Sequence, residues 1–85
     1  MPNELIARRL RELLAYHSGA PEGSLRTDSA PQNTNGWDSL ANLNLMAAIE
    51  EEFGVTVATR DVVKLKTLGD IEAYVEANAV AGRTG

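Results

Sequence analysis

The chain has 85 residues, of which 44% are hydrophobic and 24% are charged. That length allows one domain with a small core, and the composition is that of a folded protein rather than a disordered one. Because the chain has no cysteine and only one histidine, it has neither a thiolate nucleophile nor the residues for a thiolate or multi-histidine metal site.

The net charge of −4 arises in the second half of the chain. Residues 38 to 76 contain eight acidic and three basic residues, a balance that opposes binding to phosphate backbones and attracts basic protein surfaces. We therefore expect protein partners and no nucleic acid. No apolar run approaches the roughly 18 residues of a membrane span, and the N-terminus has no secretory pattern. A cytoplasmic, monomeric protein is the expectation.

The first predicted helix covers residues 3–17. Its large apolar residues recur at helical spacing and form one stripe, made by Ile6, Leu10, Leu13 and Leu14. Residues 18–36 are rich in Gly, Pro, Asn and Ser, which predicts a long loop. Leu25, the one large apolar residue in that segment, should attach the loop to the core.

Three further helices are predicted after the loop. The second covers residues 39–53 and ends at Gly54, a residue typical of helix C-termini. Thr59 should cap a short helix over residues 59–64. Thr67 and Asp70 have the spacing of a capping box and should open a last helix over residues 68–79, followed by a frayed tail over 80–85.

These elements predict an all-α fold. It consists of a small bundle of three main helices plus one short helix, with a long loop between helices 1 and 2. A single domain covers residues 1–85, because nothing in the sequence separates two cores.

The second helix has two apolar faces. At about 100° per residue, one arc contains the residues of a core face, Leu45, Met46, Ile49 and Phe53. Leu40, Leu43 and Ala47 lie on the opposite side, flanked by Asn44, Glu50 and Glu51. Either the other helices cover this second face, or it is a docking surface for a partner with an apolar centre and a basic rim.

The run Gly36-Trp37-Asp38-Ser39-Leu40 stands at the start of this helix. On its own, Asp38 would be no more than an N-cap. In its context, before a helix that ends Glu-Glu-Glu-Phe-Gly over residues 50–54 and before Thr67-Leu68-Gly69-Asp70, the motif resembles the attachment site of the acyl carrier protein family. The resemblance covers residues 37–76 well and the first helix loosely.

The resemblance implies that Ser39 carries a 4′-phosphopantetheine arm through a phosphodiester. A phosphopantetheinyl transferase would install the arm from coenzyme A, with a magnesium ion held in the transferase complex. Asp38 would help to bind the transferase and its metal. Acyl-loading and acyl-processing enzymes with basic docking surfaces would be the other partners, and the chain would contribute no catalytic and no metal-binding residue of its own.

The chemistry of the residues agrees with this reading. A thioester carrier needs a thiol, and the chain has none. Ser39 lies at a predicted helix N-terminus, where N–H groups and the helix dipole favour a phosphate by about 0.3–1 kcal/mol. A long arm would also keep the cargo at high local concentration while it visits several enzymes.

The sequence departs from the family pattern at three positions. Ala41 and Asn44 are uncharged where acidic residues are usual, which argues against recognition by housekeeping fatty-acid synthesis enzymes and favours a specialised pathway. Trp37 stands where a small or aliphatic residue is common. It either covers the edge of the core or contacts the arm or a partner.

Three other functions are alternatives to the acyl carrier. An aminoacyl or peptidyl carrier would share the fold and the arm. A helical interaction module that is never modified would need the apolar face but not Ser39. An enzyme would pair Ser39 with His17, but the sequence has no Gly-x-Ser-x-Gly motif, so we expect a protein that is not an enzyme.

Overall fold

The computed structural model describes residues 3–82, with side chains for residues 4–78. Within this part the chain is all-α, as predicted. Four helices follow one another in the order α1 (Asn3–Ser18), α2 (Ser39–Phe53), α3 (Thr59–Val62) and α4 (Leu68–Gly82). The long segment between α1 and α2 contains two short 3₁₀ turns, Glu22–Ser24 and Pro31–Asn33.

The helix ends differ from the prediction in four places. The first helix α1 ends at Ser18, one residue late. The short helix α3 ends at Val62, two residues early, and Thr59 is its first residue rather than its cap, because Ala58 occupies the cap position without a side-chain hydrogen bond. The last helix continues past the predicted end at 79 to Gly82. The rest of the tail that we predicted to fray, residues 83–85, lies outside the described residues.

The core lies where α1, α2 and α4 meet. Each helix contributes large apolar side chains that are at most 1% exposed: Ile6, Leu10 and Leu14 from α1, Leu45 and Ile49 from α2, and Leu68, Ile71 and Val75 from α4. Burial of one such side chain stabilises the fold by about 1.5–3 kcal/mol. The short helix α3 contributes no fully buried residue, so it lies at the edge of this core.

The long loop is attached to the bundle at several points. Leu25 is buried, as predicted. The N–H groups of Leu68 and Gly69 donate to the carbonyls of Ser29 and Thr27, both at 2.8 Å, so the loop accepts hydrogen bonds from the start of α4. These bonds satisfy N–H groups that a helix start otherwise leaves free.

The capping box at the start of α4 is confirmed. The Asp70 N–H donates to the Thr67 hydroxyl, and the Thr67 N–H donates to the Asp70 carboxylate, each at 3.1 Å. This is the reciprocal pattern that the Thr-x-x-Asp spacing predicts.

An ion pair joins α1 to the end of α2. The Arg9 guanidinium donates to both carboxylate oxygens of Glu52, one of them at 2.8 Å, and also to Glu12 at 3.0 Å. The hydrogen bond from Arg9 lowers the pKa of Glu52. Among residues 3–82, no helix is both long and apolar enough to cross a membrane.

Candidate functional site: the outer face of the second helix

Ser39 is the first residue of α2, and its side chain is exposed. Asp38 before it has an extended backbone, and its carboxylate accepts a hydrogen bond from the Ala41 N–H at 2.9 Å. The predicted N-cap is therefore confirmed. As a result, the Ser39 hydroxyl lies at the positive end of the helix dipole and is open to solvent.

A glycine brings the loop into this position. Gly36 has φ of +86°, and a Cβ at this residue would lie 1.9 Å from the carbonyl oxygen of Ser18 at the end of α1. Both the positive φ and the close approach require a residue without a side chain. The chain is thus held against the end of α1 immediately before it enters the Asp38-Ser39 motif.

Trp37 covers the core and does not reach outward. Its side chain is 2% exposed, and its indole N–H donates to the Asn42 side-chain oxygen at 3.0 Å. The ring therefore covers the edge of the core, which is the first of the two roles predicted for it, and little of it is left exposed to a partner. Sequence reasoning did not identify Asn42 as its partner, although an amide five residues after a buried indole is a recognisable candidate for one.

Ala41 belongs to the same buried cluster as Trp37 and is 4% exposed. An acidic residue at position 41 would place a carboxylate at this buried site, which is costly without a partner. The uncharged residue at this position therefore has a structural reason. Asn44, the other position at which an acidic residue is usual, is exposed.

The outer face of α2, which consists of Leu40, Leu43 and Ala47, is open to solvent. Leu40 is 66% exposed and Leu43 is 69% exposed, and Ala47 is also exposed. Among the residues that the structure describes, no helix covers this face. It is a contiguous apolar surface of the kind that protein partners bind.

A groove of about 270 Å³ runs beside this face. Leu43, Met46 and Ala47 line one wall, and Val57, Thr59 and Val62 line the other. The walls are mostly apolar, so an extended and largely uncharged chain fits them better than a compact polar ligand.

The three consecutive glutamates at the end of α2 have different surroundings. Glu50 is half-buried and accepts a hydrogen bond from the Val57 N–H at 2.8 Å, which attaches the connector after α2 to the helix. Glu52 is paired with Arg9. Glu51 is exposed and takes part in none of the hydrogen bonds or ion pairs found among the described side chains. Of the predicted acidic rim, Glu51 is thus the more exposed carboxylate, whereas one oxygen of Glu50 is hydrogen-bonded within the chain.

Comparison with known proteins gives this geometry its context. A family model described as "Phosphopantetheine attachment site" matches residues 8–75. The chain is also 37% identical over 71 residues to "Acyl carrier protein 2" of Pseudomonas aeruginosa, an alignment that covers 84% of this chain and 90% of that protein. The chain belongs to the acyl carrier protein family. The family match begins at residue 8, within α1, and includes the whole long loop, beyond the segment in which the sequence motif is clear.

Acyl carrier proteins are carriers rather than enzymes, and their cofactor is a covalently attached 4′-phosphopantetheine. The residues of this chain fit such a group. The matched segment contains an exposed serine hydroxyl at a capped helix N-terminus, and the apolar groove runs along the same helix. When attached, the cofactor supplies the thiol that the chain itself lacks.

Proposed function

We propose that Ser39 carries the 4′-phosphopantetheine arm and that the chain delivers acyl groups, as thioesters, between the enzymes of a specialised pathway. The observation that carries this proposal is the exposed Ser39 hydroxyl directly after the Asp38 N-cap, inside the segment that matches the family. Attachment joins the serine Oγ to the phosphorus of the phosphopantetheine as the phosphoanhydride bond of coenzyme A breaks, and adenosine 3′,5′-bisphosphate leaves. The hydroxyl proton leaves with the help of the phosphopantetheinyl transferase.

The other residues of the site support this role. Asp38 holds the first turn of α2 through the Ala41 N–H, and in the proposed role its carboxylate also helps to recognise the transferase and its magnesium ion. Leu40, Leu43 and Ala47 form the apolar centre of the docking surface. Asn44 and Glu51 lie at its rim, where Glu51 offers a charge to a base of the partner.

The specialised pathway follows from the charges around Ser39. No residue between Ser39 and Glu50 is charged, so an enzyme that recognises carboxylates along the first turns of α2 finds only Asp38, just before the serine. We place the carrier in the cytoplasm as a monomer, with acyl-loading and acyl-processing enzymes as its partners.

An aminoacyl or peptidyl carrier is the second candidate, since it would use the same arm and the same serine. The Pseudomonas aeruginosa relative is named an acyl carrier protein, which favours acyl cargo.

The proposal is tested by intact mass before and after incubation with coenzyme A, magnesium and a broad-specificity phosphopantetheinyl transferase. Wild type should gain the mass of one phosphopantetheine, and Ser39→Ala should gain nothing. Ser24→Ala is the matched control, because Ser24 is also an exposed serine but lies in the loop, and this variant should load like wild type. If wild type stays unmodified while a control carrier is loaded, the helical interaction module that is never modified becomes the better interpretation.

The pathway is tested with the loaded carrier. Housekeeping acyl-loading enzymes should transfer acyl groups to its thiol poorly compared with their own carrier, and efficient transfer would contradict the specialised role.

A further inference from the structure

Asn42 is a polar residue in the largely apolar groove beside α2. It lines the α2 side of the groove together with Leu43, Met46 and Ala47. Asn42 is half-buried, and its side-chain oxygen accepts a hydrogen bond from the indole N–H of Trp37 at 3.0 Å. A few fixed polar groups in an apolar wall determine how a bound molecule is oriented, so the orientation of the Asn42 amide matters for whatever lies in the groove.

Trp37 fixes the orientation of that amide. An indole N–H can only donate, so the atom that faces it must be the amide oxygen Oδ1 of Asn42, and the NH₂ group is turned away from the ring. Trp37 is 2% exposed. If the amide turned over, the buried indole N–H would lose its acceptor, which is costly. The amide is therefore held in one orientation.

The NH₂ group of Asn42 is available to a ligand. It forms no hydrogen bond within the part of the chain that the structure describes, where the Trp37 bond is the one that the Asn42 side chain makes. In the same part of the chain, no fully enclosed side-chain nitrogen or oxygen lacks a partner, so the Nδ2 atom of Asn42 must be accessible from outside. Because Asn42 lines the groove, a chain that lies there meets a donor whose direction is already set.

The groove continues the line of the attachment serine along α2. At about 100° per residue, the positions of Ser39, Asn42, Leu43, Met46 and Glu50 fall within an arc of roughly 100°. Asn42 comes one turn after Ser39, about 4.5 Å along the helix axis, and Glu50 comes about 16 Å after it. A chain that is attached to Ser39 and runs toward the end of α2 therefore passes Asn42 first.

The 4′-phosphopantetheine arm has the length and the chemistry that this groove requires. Beyond its phosphate the arm has about as many chain atoms as four extended residues, which corresponds to about 14 Å. That part of the arm carries a hydroxyl and two amides but no charge. The charged residue that lines the groove is Glu50, whose carboxylate repels an anionic chain but not a neutral one. Cargo is attached at the far end of the arm, so the oxygens nearest to Asn42 belong to the arm itself.

We propose that Asn42 is a positioning residue for the arm. Its NH₂ group donates to a neutral oxygen of the arm, a hydroxyl or an amide carbonyl, and so retains the arm in the groove, while Trp37 keeps the donor in the right direction. This inference rests on the proposed function, because it needs the arm on Ser39. One such hydrogen bond favours the retained arm by about fivefold, which is weak enough for a partner enzyme to draw the arm out.

The experiment compares the arm in wild type, in Asn42→Asp and in Asn44→Asp. Asn42→Asp keeps an oxygen for the Trp37 N–H but replaces the NH₂ donor with an acceptor. Asn44→Asp is the matched control, because it adds the same charge to an exposed residue of the same helix that does not line the groove. Intact mass first shows that each chain carries one arm, and circular dichroism shows that each chain is folded.

Nuclear magnetic resonance and thiol alkylation then report where the arm lies. In isotope-labelled wild type, the side-chain NH₂ signals of Asn42 should shift when the arm is attached, and they should show nuclear Overhauser effects to protons of the arm. The arm carries the one thiol of the loaded chain, because the sequence has no cysteine. Iodoacetamide should alkylate that thiol up to about fivefold faster in Asn42→Asp than in wild type. The rate in Asn44→Asp should stay within about twofold of wild type.

Asn42 NH₂ signals that do not change on loading would overturn the proposal, as would a thiol that reacts in Asn42→Asp as it does in the control. Signals that shift only after an acyl group is loaded would assign the donor to the cargo and would overturn it too. A chain that takes up no arm contradicts the proposed function and this inference with it. A chain that is loaded at Ser39 but lacks the contact contradicts this inference alone.

Discussion

The two faces of α2 are built from the same kinds of residue but have opposite surroundings. Leu45 and Ile49 on the inner face are fully buried, whereas Leu40 and Leu43 on the outer face are about two-thirds exposed. The inner face is covered because α1 and α4 both pack on that side. The hydrophobic pattern therefore identifies both faces as apolar. The arrangement of the neighbouring helices decides which face stabilises the fold and which face stays open to partners.

We expect the largest loss of stability from a change on the inner face of α2. Ile49→Ala removes three buried carbons from a fully enclosed site, so the free energy of unfolding should fall by about 2–5 kcal/mol. Urea denaturation followed by circular dichroism measures it. A loss below about 1 kcal/mol would mean that α2 does not pack as described.

The matched change on the outer face of α2 should leave stability nearly unchanged and should impair transfer to a partner. Leu43→Ala should alter the free energy of unfolding by less than about 0.5 kcal/mol, because the side chain is 69% exposed. It should lower kcat/KM for acyl transfer by a dedicated partner about tenfold, since central apolar residues dominate binding at such surfaces. Lost stability with unchanged transfer would show that this face is structural.

The hydrogen bond between Trp37 and Asn42 lies between the buried core and the attachment site. We expect its loss to cost less stability than a change on the inner face of α2. Trp37→Phe keeps most of the ring but removes the N–H that donates to Asn42, and it should cost about 1–2 kcal/mol. Asn42→Ala should cost a similar amount. The double variant should cost less than the sum of the two, and strictly additive losses in urea denaturation would deny the bond.

The smallest expected effect concerns the ion pair at the end of α2. The hydrogen bond from Arg9 lowers the pKa of Glu52 from its ordinary value of 4.5. The ionised carboxylate is therefore the form that stabilises the fold, and this stabilisation is present above pH 4.5 and is lost as the pH falls through the lower, folded-state pKa. Glu52→Gln should reduce stability by about 0.5–1 kcal/mol at pH 7, because both groups are partly exposed.

Thermal unfolding of wild type and of Glu52→Gln between pH 7 and pH 3 measures the contribution of the ion pair. The difference between them should shrink toward acid, and a constant difference would assign the effect to packing rather than charge.

The sequence predicts the helices and the motif well because both depend on local chemistry. Asp38 caps α2, and Thr67 and Asp70 cap α4, as their spacing indicates. Long-range contacts were harder to predict. The burial of Trp37 depends on how the bundle encloses it, and Thr59 fails as a cap because Ala58 takes the cap position.

In the candidate site, too, local features could be predicted and long-range contacts could not. The motif indicates Ser39, and helical spacing indicates Leu40, Leu43 and Ala47. The surroundings of the glutamates could not be predicted in this way. Glu50 accepts from the Val57 N–H, seven residues later, and Glu52 pairs with Arg9, 43 residues earlier. Net charge predicts partners with basic docking surfaces, and this stays a prediction.

The position of the arm on the chain decides whether Ser39 is the attachment site. Wild-type chain is incubated with coenzyme A, magnesium and a broad-specificity transferase, then digested, and the modified peptide is fragmented in a mass spectrometer. We expect one arm per chain, attached to Ser39. An arm on any other residue, or a folded chain that stays unmodified beside a control carrier that loads, would contradict it.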